Sequence, residues 1–311
     1  MGIRGLSGYL KTKIPQSRQN LRWSSWSGCS WAIDISCILY RARAASLDPV
    51  TVVASLLSRM RAANITPIVV FDGKPPATKT EVLDQRRDQR ESAQKEIGAL
   101  EHTLDVSANM SQMEKALTEK RISTLKSHNP TVSSSDRDLV KQLLYGAGVL
   151  FVAASGEADD LLGFLARSNM VHAVVSTDMD MLARGVPFLI MPETPDTTVL
   201  TEIMTATILC HLGLSYENFV DACVLMGTDY TTFRTRPPAE AIASVKRGNS
   251  FQGLDPAVID GAKQTLLGST SLEALLHPTQ LAKFQNGPPP REPETLARMA
   301  AEYDWPVNWS L

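Results

Sequence analysis

Seven acidic side chains lie in short motifs of a common layout, spread over nearly 200 positions. They are Asp34 in AIDIS, Asp72 in VVFDGKPP, Glu157 and Asp159 in SGEADDLL, Asp178 and Asp180 in VSTDMDML, and Asp229 in LMGTDY. Most follow an apolar, strand-like run or stand where a helix begins. In an α/β fold such places converge in one cleft at the carboxyl ends of the strands. Carboxylates gathered there repel one another. Two unit charges about 4 Å apart cost roughly 4 kcal/mol at an effective dielectric near 20. A cation offsets that repulsion, and hard divalent ions such as Mg²⁺ take all-oxygen ligand sets. The chemistry this pattern points to is metal-dependent phosphodiester hydrolysis. No His/Cys cluster favours zinc, and the five histidines are dispersed.

The elements that must position these acids read as alternating strands and helices. CSWAIDI (29–35) predicts a buried strand, followed by helices over 36–47 and 49–63, the second opened by Asp48-Pro49. TPIVVF (66–71) predicts the next strand. The stretch 77–128 is polar and Gln-rich, with nine Lys/Arg, nine Asp/Glu and no aromatics. It reads as helical but too polar for a core, and so as a projection. The pattern then resumes: helix 135–145, strand 149–153, helix 157–168, strand 172–176, a short helix near 179–184, strand 187–191, and helices near 201–212 and 215–226. A mostly parallel sheet with helices on both faces follows. From about 231 the chain is helical and interrupted by proline. NGPPPREP (286–293) reads as a stiff extended linker. The DWPVNW tail is expected to pack Trp305 and Trp309 onto the body, or to serve as a partner-binding peptide.

Composition bounds the function. With 311 residues, 43% hydrophobic, 21% charged and a net charge of −2, the chain suits a globular α/β protein with no global basic field. The basic residues are local: the first 33 positions hold Arg4, Lys11, Lys13, Arg18 and Arg22 and no acid. That segment could grip phosphates beside an acidic cleft, or be a solvated basic helix. Cys29, Cys37, Cys210 and Cys223 lack C-x-x-C spacing and predict buried free thiols. No signal peptide or membrane span is expected, and the protein is expected to be intracellular.

FDGKPP, then GEADD, then STDMD some twenty residues later, then GTDY a further fifty on, form a specific series. With MGIRGL at the start, the chain resembles the flap endonuclease family of structure-specific 5′ nucleases, from residue 1 to about 230. The resemblance implies a PIN-like 5′ nuclease fold, with a helical arch and a C-terminal helical region. Its divisions are a nuclease region over 1–76, an arch over 77–130, and a second nuclease stretch over 131–230. A helix–two-turn–helix-like region over 231–285 and a linker with tail over 286–311 follow. It further implies that Asp34, Asp72, Glu157 and Asp159 hold a first Mg²⁺, and that Asp178, Asp180 and Asp229 mainly hold a second, with Mn²⁺ able to substitute. Asp160, an extra acid, is either an outer ligand or a solvated first-turn acid. Lys79 and Arg86 match arch-base cations that stabilise the transition state; the alternative is a solvated charged helix. Lys79, Leu83, Arg86 and Arg90 fall on one helical face. Tyr40 matches an aromatic on which a terminal base stacks. Gly2 matches an N-terminal glycine that lets backbone approach DNA.

Two features depart from the family. After GTDY the expected Gly-x-Gly hairpin is replaced by TTFRTRPPAEAIASVKRG, rich in Arg and Lys, with a helix still expected from Pro238 to Lys246. The stretch between Asp34 and Asp72 is also shorter than in eukaryotic flap enzymes. No sliding-clamp-binding peptide is present, and a monomer is expected. The implied function is a Mg²⁺-dependent 5′ flap endonuclease or 5′–3′ exonuclease on branched or 5′-ended DNA. It would act in replication, repair or recombination, in the nucleus or at another site of DNA replication. The alternatives are an mRNA endonuclease of the host-shutoff type and a catalytically inactive scaffold binding RNA or protein. The form resembles a divergent member, a viral one among the alternatives.

Overall fold

The computed structural model describes residues 2–74, 80–106, 110–228, 231, 235–248 and 251–306, with backbone alone for residues 80–83, 85 and 86. Helix α1 (Leu6–Lys13) leads to a short polar strand, β1 (Arg18–Asn20). Then come β2 (Ser30–Asp34), α2 (Ile35–Ala44), α3 (Pro49–Ala62) and β3 (Thr66–Phe71). Two long helices follow, α4 (Thr80–Val106) and α5 (Gln112–His128). The α/β succession continues with α6 (Ser134–Gly146), β4 (Leu150–Ala153), α7 (Ala158–Arg167), β5 (Ala173–Val175), α8 (Asp180–Ala183), β6 (Phe188–Pro192) and β7 (Leu200–Met204). Helices α9 (Thr205–Leu212), α10 (Tyr216–Met226), α11 (Pro238–Lys246), α12 (Pro256–Leu267), α13 (Leu272–Leu275), α14 (Pro278–Asn286) and α15 (Pro293–Glu302) complete the chain.

The seven strands form one sheet in the order β1-β7-β6-β5-β2-β3-β4. β6, β5, β2, β3 and β4 run parallel, and β7 pairs antiparallel with β6 and β1. Alternation along the strands supplies two cores. Ala32, Val70, Val174 and Leu189 face one side, with α1, α7, α8 and α10–α12. Trp31, Ile33, Val69, Phe71, Val175 and Ile190 face the other, with α2, α3, α6 and α15. A separate small core of Ala93, Ile97, Ile122 and Leu125 joins α4 to α5.

Four expectations change. Residues 200–204 are a strand, where a helix was expected over 201–212. A turn built on TPDTT, with Thr197 at φ +59°, folds this segment back onto β6, and the amide of Glu193 donates to the Val199 carbonyl at 2.9 Å. β1 escapes sequence reading because its three residues are polar. Of the cysteines only Cys223 is buried. Cys29 and Cys37 are half-buried and Cys210 is exposed, because α9 turns that position outward. Arg18 is taken up by an ion pair with Glu193 at 2.7 Å rather than left open for phosphate. Trp305 does pack onto the body, stacking on Tyr303 and donating from Nε1 to Thr51 Oγ1 at 3.3 Å; Trp309 lies outside the described residues. Among the described residues, no helix is long and apolar enough to cross a membrane.

Candidate metal centre

Strand order decides which acids meet. β5, β2, β3 and β4 are neighbours, and parallel pairing sets their carboxyl ends side by side. Asp178 follows β5, Asp34 ends β2, Asp72 follows β3, and the loop after β4 leads to Glu157 at the start of α7. Two backbone approaches tighten this arrangement. The Ala154 amide donates to the Phe71 carbonyl at 3.0 Å, and the Gly73 amide donates to the Gly156 carbonyl at 2.8 Å. A Cβ at Gly73 would overlap the Ala154 carbonyl, so glycine is what lets the FDG and SGE loops touch.

Each acid is held by short-range partners. Asp34 is buried and caps α2, accepting from the Cys37 amide at 3.2 Å and from Ser176 Oγ at 2.9 Å. Asp72 accepts from Ser36 Oγ at 2.6 Å and from the Ala158 amide at 3.0 Å, which ties β3 to α7. The Asp178 amide donates to Ser176 Oγ at 3.1 Å, and Asp178 Oδ1 accepts from the Asp180 amide at 2.9 Å. Asp180 is almost fully buried at the start of α8, and Glu157 is half-buried. Gly2, at φ +94°, lies against this pair: a Cβ there would overlap Asp178 Oδ1 and sit 3.0 Å from Asp180 Oδ1. Sequence reading missed Ser36 and Ser176. Their signal was a serine two residues after Asp34 and two before Asp178.

The carboxylates feel one another. Burial, then the charge of Asp72, pushes the Asp34 carboxyl up to about 7, against the hydrogen bonds from Ser176 and the Cys37 amide, with Asp178 adding to the rise. Burial raises Asp159 well above the ordinary range. Arg184 opposes that rise, while Asp178, Asp34 and Asp72 add to it. Among the described residues, no three carboxylate, His or Cys groups already close into a single-ion ligand set. Serine hydroxyls and backbone amides hold the oxygens instead. The donor set fits a hard divalent cation nonetheless: all donors are carboxylate oxygens, and their mutual repulsion is what such an ion relieves.

The remaining sequence candidates divide. Tyr40 is half-buried, with the Arg90 guanidinium 5.7 Å from its ring centroid, a cation–π contact between α2 and α4. Arg86 lies on α4. Lys79 and Asp229 lie outside the described residues; Gly227 and Thr228, just before Asp229, are described. Asp160, one-third exposed, pairs with the buried guanidinium of Arg184. Helix α11 spans Pro238–Lys246 as the proline predicts, and the Arg236 amide returns to the Leu225 carbonyl at 2.8 Å.

Fold and site together define a class: α/β proteins whose parallel strands deliver acids to one cleft. Two family models identify which class member this is. The XPG N-terminal domain matches residues 1–93 and the XPG I-region matches 148–229, together more than half the chain. The chain belongs to the XPG family of the flap endonuclease type. It is 29% identical over 270 residues to Flap endonuclease 1 of Theileria annulata, covering 81% of this chain and 51% of that protein. The chain spans about half the length of the first such relatives it matches. In fold it resembles the catalytic core of Rad2 in complex with DNA substrate, at a TM-score of 0.63 and 17% identity, covering 99% of this chain and 97% of that one. It also resembles the Holliday junction-resolving enzyme GEN1 in complex with product DNA and a Mg²⁺ ion, at 0.58 and 18%, covering 94% and 73%.

Proposed function

We propose that this chain is a Mg²⁺-dependent, structure-specific 5′ nuclease acting on DNA. The observation that carries this reading is the row of four adjacent strand ends, which gathers mutually repelling carboxylates beside Gly2. Asp34, Asp72, Glu157 and Asp159 would hold one ion, and Asp178, Asp180 and Asp229 a second. When bound, two such ions supply an activated water and charge stabilisation at the leaving oxygen. The protein's own groups do the positioning. Ser176 and the Cys37 amide fix the Asp34 carboxylate, and Ser36 and the Ala158 amide fix that of Asp72. The missing side chain at Gly2 lets the carboxylates of Asp178 and Asp180 sit directly against the backbone there.

The helical pair α4–α5 is the candidate arch, and Lys79 and Arg86 are the candidate transition-state cations. Tyr40 is the candidate stacking platform for a terminal base. Helices α11 and α12 would take the duplex, with arginines in place of a glycine hairpin. The relatives' names favour flap or junction DNA as substrate, and such a nuclease would act in replication, repair or recombination. The test is incubation with Mg²⁺ and labelled 5′-flap DNA, blunt duplex and structured RNA, beside an Asp178→Asn/Asp180→Asn variant. Flap or end cleavage by the parent alone is expected. Cleavage of RNA alone would move the assignment to an RNA endonuclease, and no metal-dependent cleavage of any substrate would sink it.

A further inference from the structure

Arg184 has no counterpart in the seven-acid scheme, yet its environment is built around it. Its residue is fully buried, directly after the short helix that starts with Asp180. Removing a guanidinium from water costs several kcal/mol unless partners compensate. Here Nη1 donates to the carboxylate of Asp160, 24 residues away, and to the Thr265 carbonyl at 3.2 Å, 81 residues away. Its backbone is held too. The Arg184 amide donates to the Asp180 carbonyl at 2.8 Å, and its carbonyl accepts from Arg167 Nη1 at 2.5 Å. Tyr216 Oη donates to the preceding carbonyl, Ala183, at 2.6 Å.

Two glycines make room for this side chain. A Cβ at Gly163 on α7 would stand 3.0 Å from Arg184 Cβ. One at Gly268, just after α12 and at φ +65°, would stand 3.2 Å from Asp160 Oδ1. Asp160 is the neighbour of Asp159 on α7, and Arg184 closes the turn that begins at Asp180. The pair therefore joins the two acid-bearing segments behind the cleft, and the Thr265 carbonyl seats α12 on the same joint.

We propose that Arg184 is a positioning residue of the metal centre: by pairing with Asp160 it locks the start of α7 to the end of α8, and so sets the separation of Asp159 and Asp180. This rests on the metal-nuclease reading. The planar guanidinium can serve two acceptors in fixed directions, which an ammonium does less well.

The experiment compares the full chain with R184M, R184K, D160N and D160N/R184M. Mn²⁺ binding is followed by the electron paramagnetic resonance of the free ion, and the melting temperature by circular dichroism. R184M should bind Mn²⁺ about tenfold or more weakly, the scale of losing an orienting group behind a metal ligand. R184K should regain part of that loss. D160N, which strands a buried cation, should melt lowest, and D160N/R184M should recover stability without recovering affinity. Affinity that returns together with stability in the double variant would reduce Arg184 to a packing role. Tighter binding by R184M would make Asp160 a ligand that Arg184 masks, and would also overturn the proposal. Unchanged binding by R184M beside a parent that binds Mn²⁺ refutes this proposal alone. A parent that binds no Mn²⁺ refutes the metal-centre reading itself.

Discussion

The strand-end cleft and the α4–α5 pair are built on opposite principles. Behind the cleft stand two cores that fill both faces of a seven-stranded sheet. The helical pair is held by four buried residues and by half-exposed ion pairs, Arg121–Glu96 and Lys126–Glu101, each at 2.8 Å. Acids that must stay close despite repulsion need a rigid frame. A segment that would handle variable nucleic acid is served by few buried contacts, and so by a low local cost of opening. Six substitutions break or sharpen that contrast.

The largest effect is expected at Asp34→Asn. Cleavage should be lost, and with it the rise in melting temperature that Mg²⁺ gives the parent through binding the native state. Metal-free stability at pH 8 should stay equal or increase. The Asp34 carboxyl is raised to about 7 in the fold, so its charged form is disfavoured there at higher pH. A parent-like Mg²⁺ shift in this variant would remove Asp34 from the ligand set.

Leu161→Ala, at a fully buried position of α7, should cost about 2–5 kcal/mol and lower the global melting temperature. Ile97→Ala should cost about as much locally, at the lower end of the same range. It should appear as faster hydrogen exchange over residues 80–128, with the sheet's transition unmoved. A global loss from Ile97→Ala would show that the helical pair and the sheet form one cooperative unit.

Asp136→Asn tests the sheet-side frame by pH. The hydrogen bond and charge of Arg43, with the hydroxyl and amide of Ser133, outweigh burial and hold the Asp136 carboxyl below its ordinary 3.8. Stability from this group is therefore present above that value and lost as pH falls through the lower, folded one. Acid melts of parent and variant should differ at neutral pH and converge as pH falls below the ordinary carboxylate value. Parallel curves would argue against the pair. The smallest effect belongs to Arg121→Ala or Lys126→Ala. Each exposed pair contributes at most about 1 kcal/mol. Raised salt should shrink the difference further, as read by exchange within the helical pair.

Where information was local, it was legible. Residues 66–71 form β3 because six extended, largely β-branched positions stand between turn signals, and Pro238 starts α11 because proline suits a first turn. The acids were legible for the same reason: Asp34 ends a strand, Asp72 and Asp178 follow one, and Glu157, Asp159 and Asp180 stand where a helix begins. β7 was not. LTEIM runs directly into α9, and only its pairing with β6 across the TPDTT turn selects strand over helix. The fate of Cys210 also waited on which face α9 turned outward.

By itself the sequence determined the acid-bearing motifs, the elements that carry them and the family they belong to. Neighbouring residues suffice to specify a strand end or a cap. Only the tertiary structure decided that β5, β2, β3 and β4 stand in that order, so that acids from four motifs meet. It alone assigned Ser176 to Asp34, Ser36 to Asp72 and Arg184 to Asp160. Those pairings link positions 24 to 142 residues apart, and packing, not sequence proximity, brings them into contact.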